Sequence, residues 1–206
     1  MKIGILISGR GSNMSALIEA VNTGEIPNSE IAVVVSDKPD AAGLQKAREK
    51  GVETIVIERR NRTRREHDAE TIAELEKRAV ELICLAGYMR LLSAEFIEAF
   101  RNKIVNIHPS LLPSFPGLEA QRQAFEYGVK FSGCTVHFVD EGLDSGAIIA
   151  QEVVAVLDDD TSETLAAKIL EQEHRLYVEA IAKIVSGKYQ IKGRRVIFDR
   201  GFSKNL

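Results

Sequence analysis

The chain of 206 residues has no tryptophan, two cysteines, four histidines and no apolar run near the roughly 20 residues that a membrane span needs. Each scarcity excludes something. Cys84 and Cys134 stand alone in apolar runs, so they make neither a disulfide framework nor a zinc site; they read as small core residues in a reducing compartment. The opening MKIGILISGRG has too short an apolar stretch for a secretory signal, which leads to the expectation of a cytoplasmic protein with no membrane partner and no metal. A formal net charge of −3 argues against a general nucleic-acid binder. Repeats, low-complexity tracts and linkers are also lacking, so residues 1–206 are expected to form a single domain. What is there, 45% hydrophobic and 28% charged residues, is ordinary for a globular protein with a sizeable core.

Short Val/Ile/Leu-rich runs at 2–7, 30–36, 53–57, 81–86 and 103–107 read as strands. Helical patterns lie between them, near 13–23, 40–50, 64–79 and 93–100. Continuous apolar strands alternating with helices predict a mostly parallel sheet with helices on both faces, the Rossmann-like α/β class. After residue 108 the style changes: a proline-rich loop, a short helix near 119–127, strands at 133–140 and 147–156, and a long helix near 161–185. The C-terminal part is therefore expected to add antiparallel strands and a long helix, with Asp160 as that helix's cap. The last twenty residues read as a short strand pair and a loose end.

SGRGSN at 8–13 follows the first strand and opens the first helix. Such a turn points backbone N–H groups at an anion, and the helix dipole favours it. Met14 stands where a dinucleotide fingerprint needs its third glycine, and no Gly-Lys-Ser/Thr follows. A monophosphate therefore suits Gly11, Ser12 and Asn13 better than a pyrophosphate. The plainer reading is a tight turn capped by Ser12 or Asn13.

NIHPSLLPSFPG, residues 106–117, holds three of the five prolines. Asn106 and His108 are two apart as the fifth strand ends, so they share a face. The prolines are expected to fix the exit path and preserve the aim of both side chains. Asp144, in the glycine-flanked DEGLDSG loop, is the natural partner to hold the His108 ring. An amide donor for an oxyanion and a histidine to move protons, without an activated Ser or Cys, point to direct acyl transfer between two substrates. His137 alternates toward the same region and ranks below His108. His67 and His174 read as structural or exposed.

Together, ISGRGSN, LAGYMRLLS, NIHPSLLPSFPG, TVHFVDEGLDSG and EHRLY, in that order to about residue 185, resemble the phosphoribosylglycinamide formyltransferase family of purine biosynthesis. The resemblance implies 10-formyltetrahydrofolate as co-substrate and the amine of glycinamide ribonucleotide as acceptor. It places Asn106, His108 and Asp144 at catalytic positions, and Gly11, Ser12 and Asn13 at the substrate phosphate. Glu173 falls at a nucleotide contact, and Arg64, Met89, Arg90, Leu91 and Leu92, with Asn106, fall at the folate site. Residues 1–100 would then be a phosphate-binding half, 101–185 a catalytic and folate-binding half, and 186–206 a tail, in a monomer or homodimer with small-molecule substrates. Glu173 sits on an apolar helical stripe, where a substrate hydroxyl or a buried cation is its alternative partner. The choice of Arg64 within ERRNRTRRE rests on the resemblance alone. Some members carry a histidine just after the proline loop; here GLEAQ supplies Glu119 and Gln121. Formyltetrahydrofolate deformylase is the alternative reading, with water replacing the amine. More distant is a nucleotide-binding oxidoreductase, with Asp37 as its ribose acid.

Overall fold

A computed structural model describes residues 1–199. It divides into two compact units, the first running Met1–Asn106 and the second beginning at Ile107.

The first unit follows from its alternation of apolar runs and helices. Its strands are β1 (Lys2–Ile7), β2 (Glu30–Ser36), β3 (Thr54–Val56), β4 (Leu82–Leu85) and the start of β5 (Ile104–His108). They lie in the order β3-β2-β1-β4-β5, all parallel. The helices are α1 (Ser12–Asn22), α2 (Ala42–Glu49), α3 (Arg64–Lys77) and α4 (Ala94–Ala99). Strand order reverses between β1 and β4, so right-handed crossovers carry α1 and α2 to one face, where they pack together, and α3 and α4 to the other. β1 is buried from Ile3 to Ile7, as a strand covered on both faces must be. A side chain on Gly4 would run into Leu75 and Val80, so that glycine lets α3 lie close on the sheet. The carboxyl edge beside the β1–β4 reversal is where sheets of this kind bind ligands.

A buried polar knot fixes α3 against the start of α4. Asp68 accepts the Ser93 N–H at 2.6 Å and faces His67 Nδ1 at 3.3 Å, while His67 Nε2 bonds the Ile57 carbonyl at 2.7 Å. Burial works to raise the Asp68 pKa, but the bonds from His67 and Ser93 outweigh it and the net shift is downward. A lowered carboxylate stabilises the fold above its unfolded value of about 3.9, and that stability is lost as pH falls through the folded value. Asp68→Ala should cost about 1–3 kcal/mol at pH 7 by leaving buried donors unpaired. Its melting temperature should also fall less than wild type's on acidification below about pH 4. Thermal unfolding followed across pH checks both.

The second unit holds α5 (Ala120–Tyr127), β6 (Phe131–Phe138), β7 (Ile148–Ala155), α6 (Ser162–Val185), β8 (Tyr189–Lys192) and β9 (Arg195–Phe198). These strands run β6-β7-β9-β8; β6–β7 and β8–β9 are antiparallel, and β7–β9 is parallel. The expected added strands, long helix and terminal strand pair are present. The expected loose end falls mostly beyond the described residues. β6 begins two residues earlier than expected, at Phe131, because its pairing with β7 already starts at Phe131↔Ala155. The cap of α6 is Thr161, whose side chain accepts the Thr164 N–H. Asp160 instead accepts from Leu157 N–H, Thr164 Oγ1 and Lys168 Nζ at 2.7–2.8 Å, which staples the turn before the helix. Cys84 and Cys134 are buried, and neither is in a disulfide among the described residues. Burial pushes the Cys134 thiol up to about 12, so it is an inert core group.

Candidate active site

In the first unit the glycine turn is built by close backbone approach. Gly11 is the N-cap of α1 at φ 67, a left-handed conformation, and no side chain caps the helix; neither Ser12 nor Asn13 takes the role offered by the plainer sequence reading. A Cβ on Gly11 would lie 2.8 Å from the Gly43 Cα, and Gly43 N–H donates to the Gly9 carbonyl at 3.0 Å. The start of α2 thus braces the turn. Met14, fully buried, packs under Gly11 where a dinucleotide fingerprint has its third glycine. The result is an uncapped helix N-terminus at the carboxyl end of a parallel strand, with Ser12 half-buried and Asn13 buried in its first turn.

The loop leaving β4 lies beside this turn. Ser8 N–H donates to the Gly87 carbonyl at 3.1 Å, and Met89 N–H donates to Ser8 Oγ at 2.9 Å. Met89 and Leu91 are exposed, 63% and 57%. Tyr88 is half-buried, and burial raises its pKa against the lowering effect of the Arg90 charge. Leu92 is half-buried. Asn106 pairs with Leu85 in the β4–β5 register, so it stands next to the root of this loop. Arg64 is the first residue of α3 and is exposed. Among the described residues Arg60, Arg62 and Arg65 pair with Glu58, Glu70 and Glu95, whereas neither Arg59 nor Arg64 is in an ion pair, so ion pairing does not single out Arg64.

In the second unit His108 ends β5, 5% exposed, and turns its two nitrogens to different partners. Nε2 lies 2.9 Å from the Phe115 carbonyl and Nδ1 lies 3.5 Å from Asp144 Oδ2. Asp144 also accepts the Gly117 N–H at 2.8 Å and faces His137 Nε2 at 3.8 Å. His137 is 1% exposed and its Nδ1 is 2.8 Å from its neighbour's carbonyl, that of Phe138. Burial lowers the His137 pKa from 6.5 despite the nearby Asp144, so this ring is held toward its neutral form.

The backbone around these groups is held in unfavourable conformations. Asp144 (φ 48), Phe115 (φ 53) and Glu119 (φ 56) are all left-handed without being glycine. Such conformations cost of order 1–3 kcal/mol each and persist where surrounding bonds over-determine them. Here those bonds are plain. Asp140 Oδ1 accepts from Gly142 N–H and Ser145 Oγ across the Asp144 loop. Ser110 Oγ donates to the Ser114 carbonyl at 2.5 Å. Buried Thr135 Oγ1 donates to the Ser110 carbonyl at 2.7 Å and accepts the Leu112 N–H, and Gln151 Nε2 donates to the Leu112 carbonyl. The exit path thus rests on Thr135, Gln151 and Ser110 as much as on the prolines. Sequence reading missed Thr135 and Gln151, whose only signal is a polar residue on an apolar strand, and the Phe115 carbonyl, which has none. Glu173 is buried on the inner stripe of α6, with Leu165, Ile169, Leu176 and Ile184, as its spacing predicts.

A family model described as "Formyl transferase" matches residues 1–181. The chain is 47% identical over 188 residues to the "Trifunctional purine biosynthetic protein adenosine-3" of Drosophila melanogaster, covering 90% of this chain but only 14% of that protein. Over 192 residues it is 40% identical to the "Phosphoribosylglycinamide formyltransferase" of Escherichia coli, 93% of this chain and 90% of the other. Its backbone superposes on the crystal structure of "glycinamide ribonucleotide transformylase 1" from Symbiobacterium toebii with a TM-score of 0.94 at 50% identity, covering 96% of this chain and 93% of that one.

Proposed function

The chain belongs to the formyl transferase family, and from that membership we propose that it transfers the formyl group of 10-formyltetrahydrofolate to the amine of glycinamide ribonucleotide. Relatives bearing the formyltransferase name over nearly the full length of both chains support this reading. The observation that carries it is the His108–Asp144 pair, ring and carboxylate 3.5 Å apart, with the ring's other nitrogen engaged by Phe115. The Phe115 carbonyl only accepts, so Nε2 carries a hydrogen, and a second proton at Nδ1 lies against the carboxylate; the ring serves a reacting carbonyl once its Nε2–H leaves Phe115.

In this reading the amine nitrogen attacks the formyl carbon directly. Asn106 donates its amide N–H to the oxyanion that forms, and His108, as imidazolium, stabilises the same charge. Collapse breaks the bond between the formyl carbon and the folate nitrogen. His108 protonates that nitrogen and the proton lost by the attacking amine restores it. Asp144 keeps the ring oriented. Gly11, Ser12 and Asn13 take the substrate phosphate, and Glu173 takes a nucleotide hydroxyl. Arg64, Met89, Arg90, Leu91 and Leu92, with Asn106, take the folate. The reading of residues 1–206 as one cytoplasmic formyltransferase domain, a monomer or homodimer without a metal, is part of the same proposal. Met14, fully buried in the place of a third glycine, counts against the oxidoreductase reading.

The phosphate assignment has a discriminating test. A substitution at Gly11 is uninformative, since any side chain there meets Gly43 and a left-handed backbone. Ser12→Asp places a carboxylate in the first turn of α1, which stabilises the helix by about 0.3–1 kcal/mol while occupying the anion's position. It should raise the KM for glycinamide ribonucleotide by at least about tenfold, because anions about 4 Å apart near a protein surface repel by several kcal/mol. The folate KM and the melting temperature should not fall. Equal rises in both KM values would remove the phosphate from this turn.

A further inference from the structure

We propose that Ser145 is a positioning residue: its hydroxyl, bonded to Asp140, clasps the loop that carries Asp144 and so sets where that carboxylate stands beside His108. The inference rests on the assignment of His108 and Asp144 to formyl transfer.

The Asp144 carboxylate has few anchors of its own. Among the described residues one short hydrogen bond holds it, from the Gly117 N–H at 2.8 Å. The two histidine nitrogens stand off at 3.5 and 3.8 Å, beyond the roughly 2.7–2.9 Å of a charge-assisted bond. Its backbone is left-handed at φ 48, a conformation that the surroundings must impose. The loop therefore decides where the carboxylate lies. At the base of that loop Phe138 N–H donates to the Ala147 carbonyl at 2.9 Å. Inside this closure Asp140 Oδ1 accepts from Ser145 Oγ at 2.5 Å and from the Gly142 N–H at 3.1 Å. One carboxylate oxygen thus ties the residue after Asp144 to the near side of the loop, and a hydroxyl given to an ionised oxygen is among the stronger hydrogen bonds. Two glycines make room for it. A Cβ on Gly142 would lie 2.1 Å from Ser145 Oγ, and a Cβ on Gly146 would lie 1.9 Å from the Phe138 carbonyl oxygen. DEGLDSG is then one device: the glycines admit the clasp, Asp140 and Ser145 form it, and Asp144 is the group it presents.

Ser145→Ala deletes the hydroxyl and changes no charge. Asp140 is the poorer target, because its charge also favours the protonated form of His137. In Ser145→Ala kcat should fall by roughly tenfold to a hundredfold, the loss expected when a reacting group is moved out of line. The KM for glycinamide ribonucleotide should stay within about twofold, since the clasp serves the transition state rather than ground-state binding. Ser145→Thr keeps the hydroxyl and should retain most of the wild-type rate. Added to Asp144→Asn, Ser145→Ala should cost no more than about twofold further, because both act through one carboxylate. A lower melting temperature with unchanged kcat would make Ser145 merely structural, and losses that multiply would mean that it does not act through Asp144. Either result overturns the proposal.

Amide hydrogen exchange at Gly117 gives an answer independent of substrate, because that N–H is bonded to Asp144. In the free chain it should exchange at least about threefold faster in Ser145→Ala than in wild type, as the freed loop lets the carboxylate leave. If Gly117 exchanges as in wild type, the clasp does not hold Asp144, even in an active formyltransferase. If its exchange quickens but the wild-type chain transfers no formyl group, the functional reading fails and the clasp stands.

Discussion

Asn106→Ala lowers kcat by roughly a hundredfold to a thousandfold, the loss found when one preorganised oxyanion donor is removed. The fold should survive. Asn106 is half-buried, and its backbone keeps the register with Leu85 whatever its side chain. The loss should therefore appear in kcat, with the melting temperature nearly unchanged. Because the amide binds the developing charge more tightly than the neutral formyl oxygen, the KM for folate should move little. Asn106→Asp, nearly the same shape but without a donor, should be at least as slow. Steady-state kinetics on both variants check this, and a fall of only a few-fold would take Asn106 out of the chemistry.

His108→Ala should cost about 10²–10⁴ in kcat, the range for a positioned proton donor. Asp144→Asn should lose most of the same factor for a different reason. Residue 144 sits at φ 48, a conformation asparagine tolerates better than most residues, and its carbonyl oxygen can still accept the Gly117 N–H. The variant therefore removes charge with little change of backbone. If Asp144 acts through His108, the double variant should be little slower than His108→Ala alone. Losses that multiply would mean that Asp144 touches the reaction independently, for instance by holding a water.

The parallel half was the most legible part of the fold. Its strands are unbroken Val/Ile/Leu runs, and a strand buried on both faces leaves no other pattern. β3 is Thr54–Val56, and Glu53 and Ile57 at the two ends of ETIVI also hydrogen-bond to β2, so the five-residue run marks the reach of the pairing. The cap of α6 was misread because Asp160, Thr161 and Thr164 all offer side-chain oxygens within one turn, and sequence does not say which residue turns first. The approach of Asp144 to His108 was foreseen from two loops at strand ends. His137 was read only as alternating toward the same region, below His108. His137 lies on an apolar strand, where a lone histidine most often satisfies a local carbonyl, and it does so with Phe138. Only coordinates reveal that its second nitrogen faces Asp144. The loop anchors Thr135 and Gln151 were hidden because they act on backbone atoms.

The most direct test of the account is the rate of folate release from a 10-formyl-folate analogue, followed by absorbance, with and without glycinamide ribonucleotide. The account predicts release that depends on the nucleotide, saturates with it and yields one formylated amine per folate released. Release at the same rate without the nucleotide, with formate as the product, would make the chain a hydrolase and contradict the account.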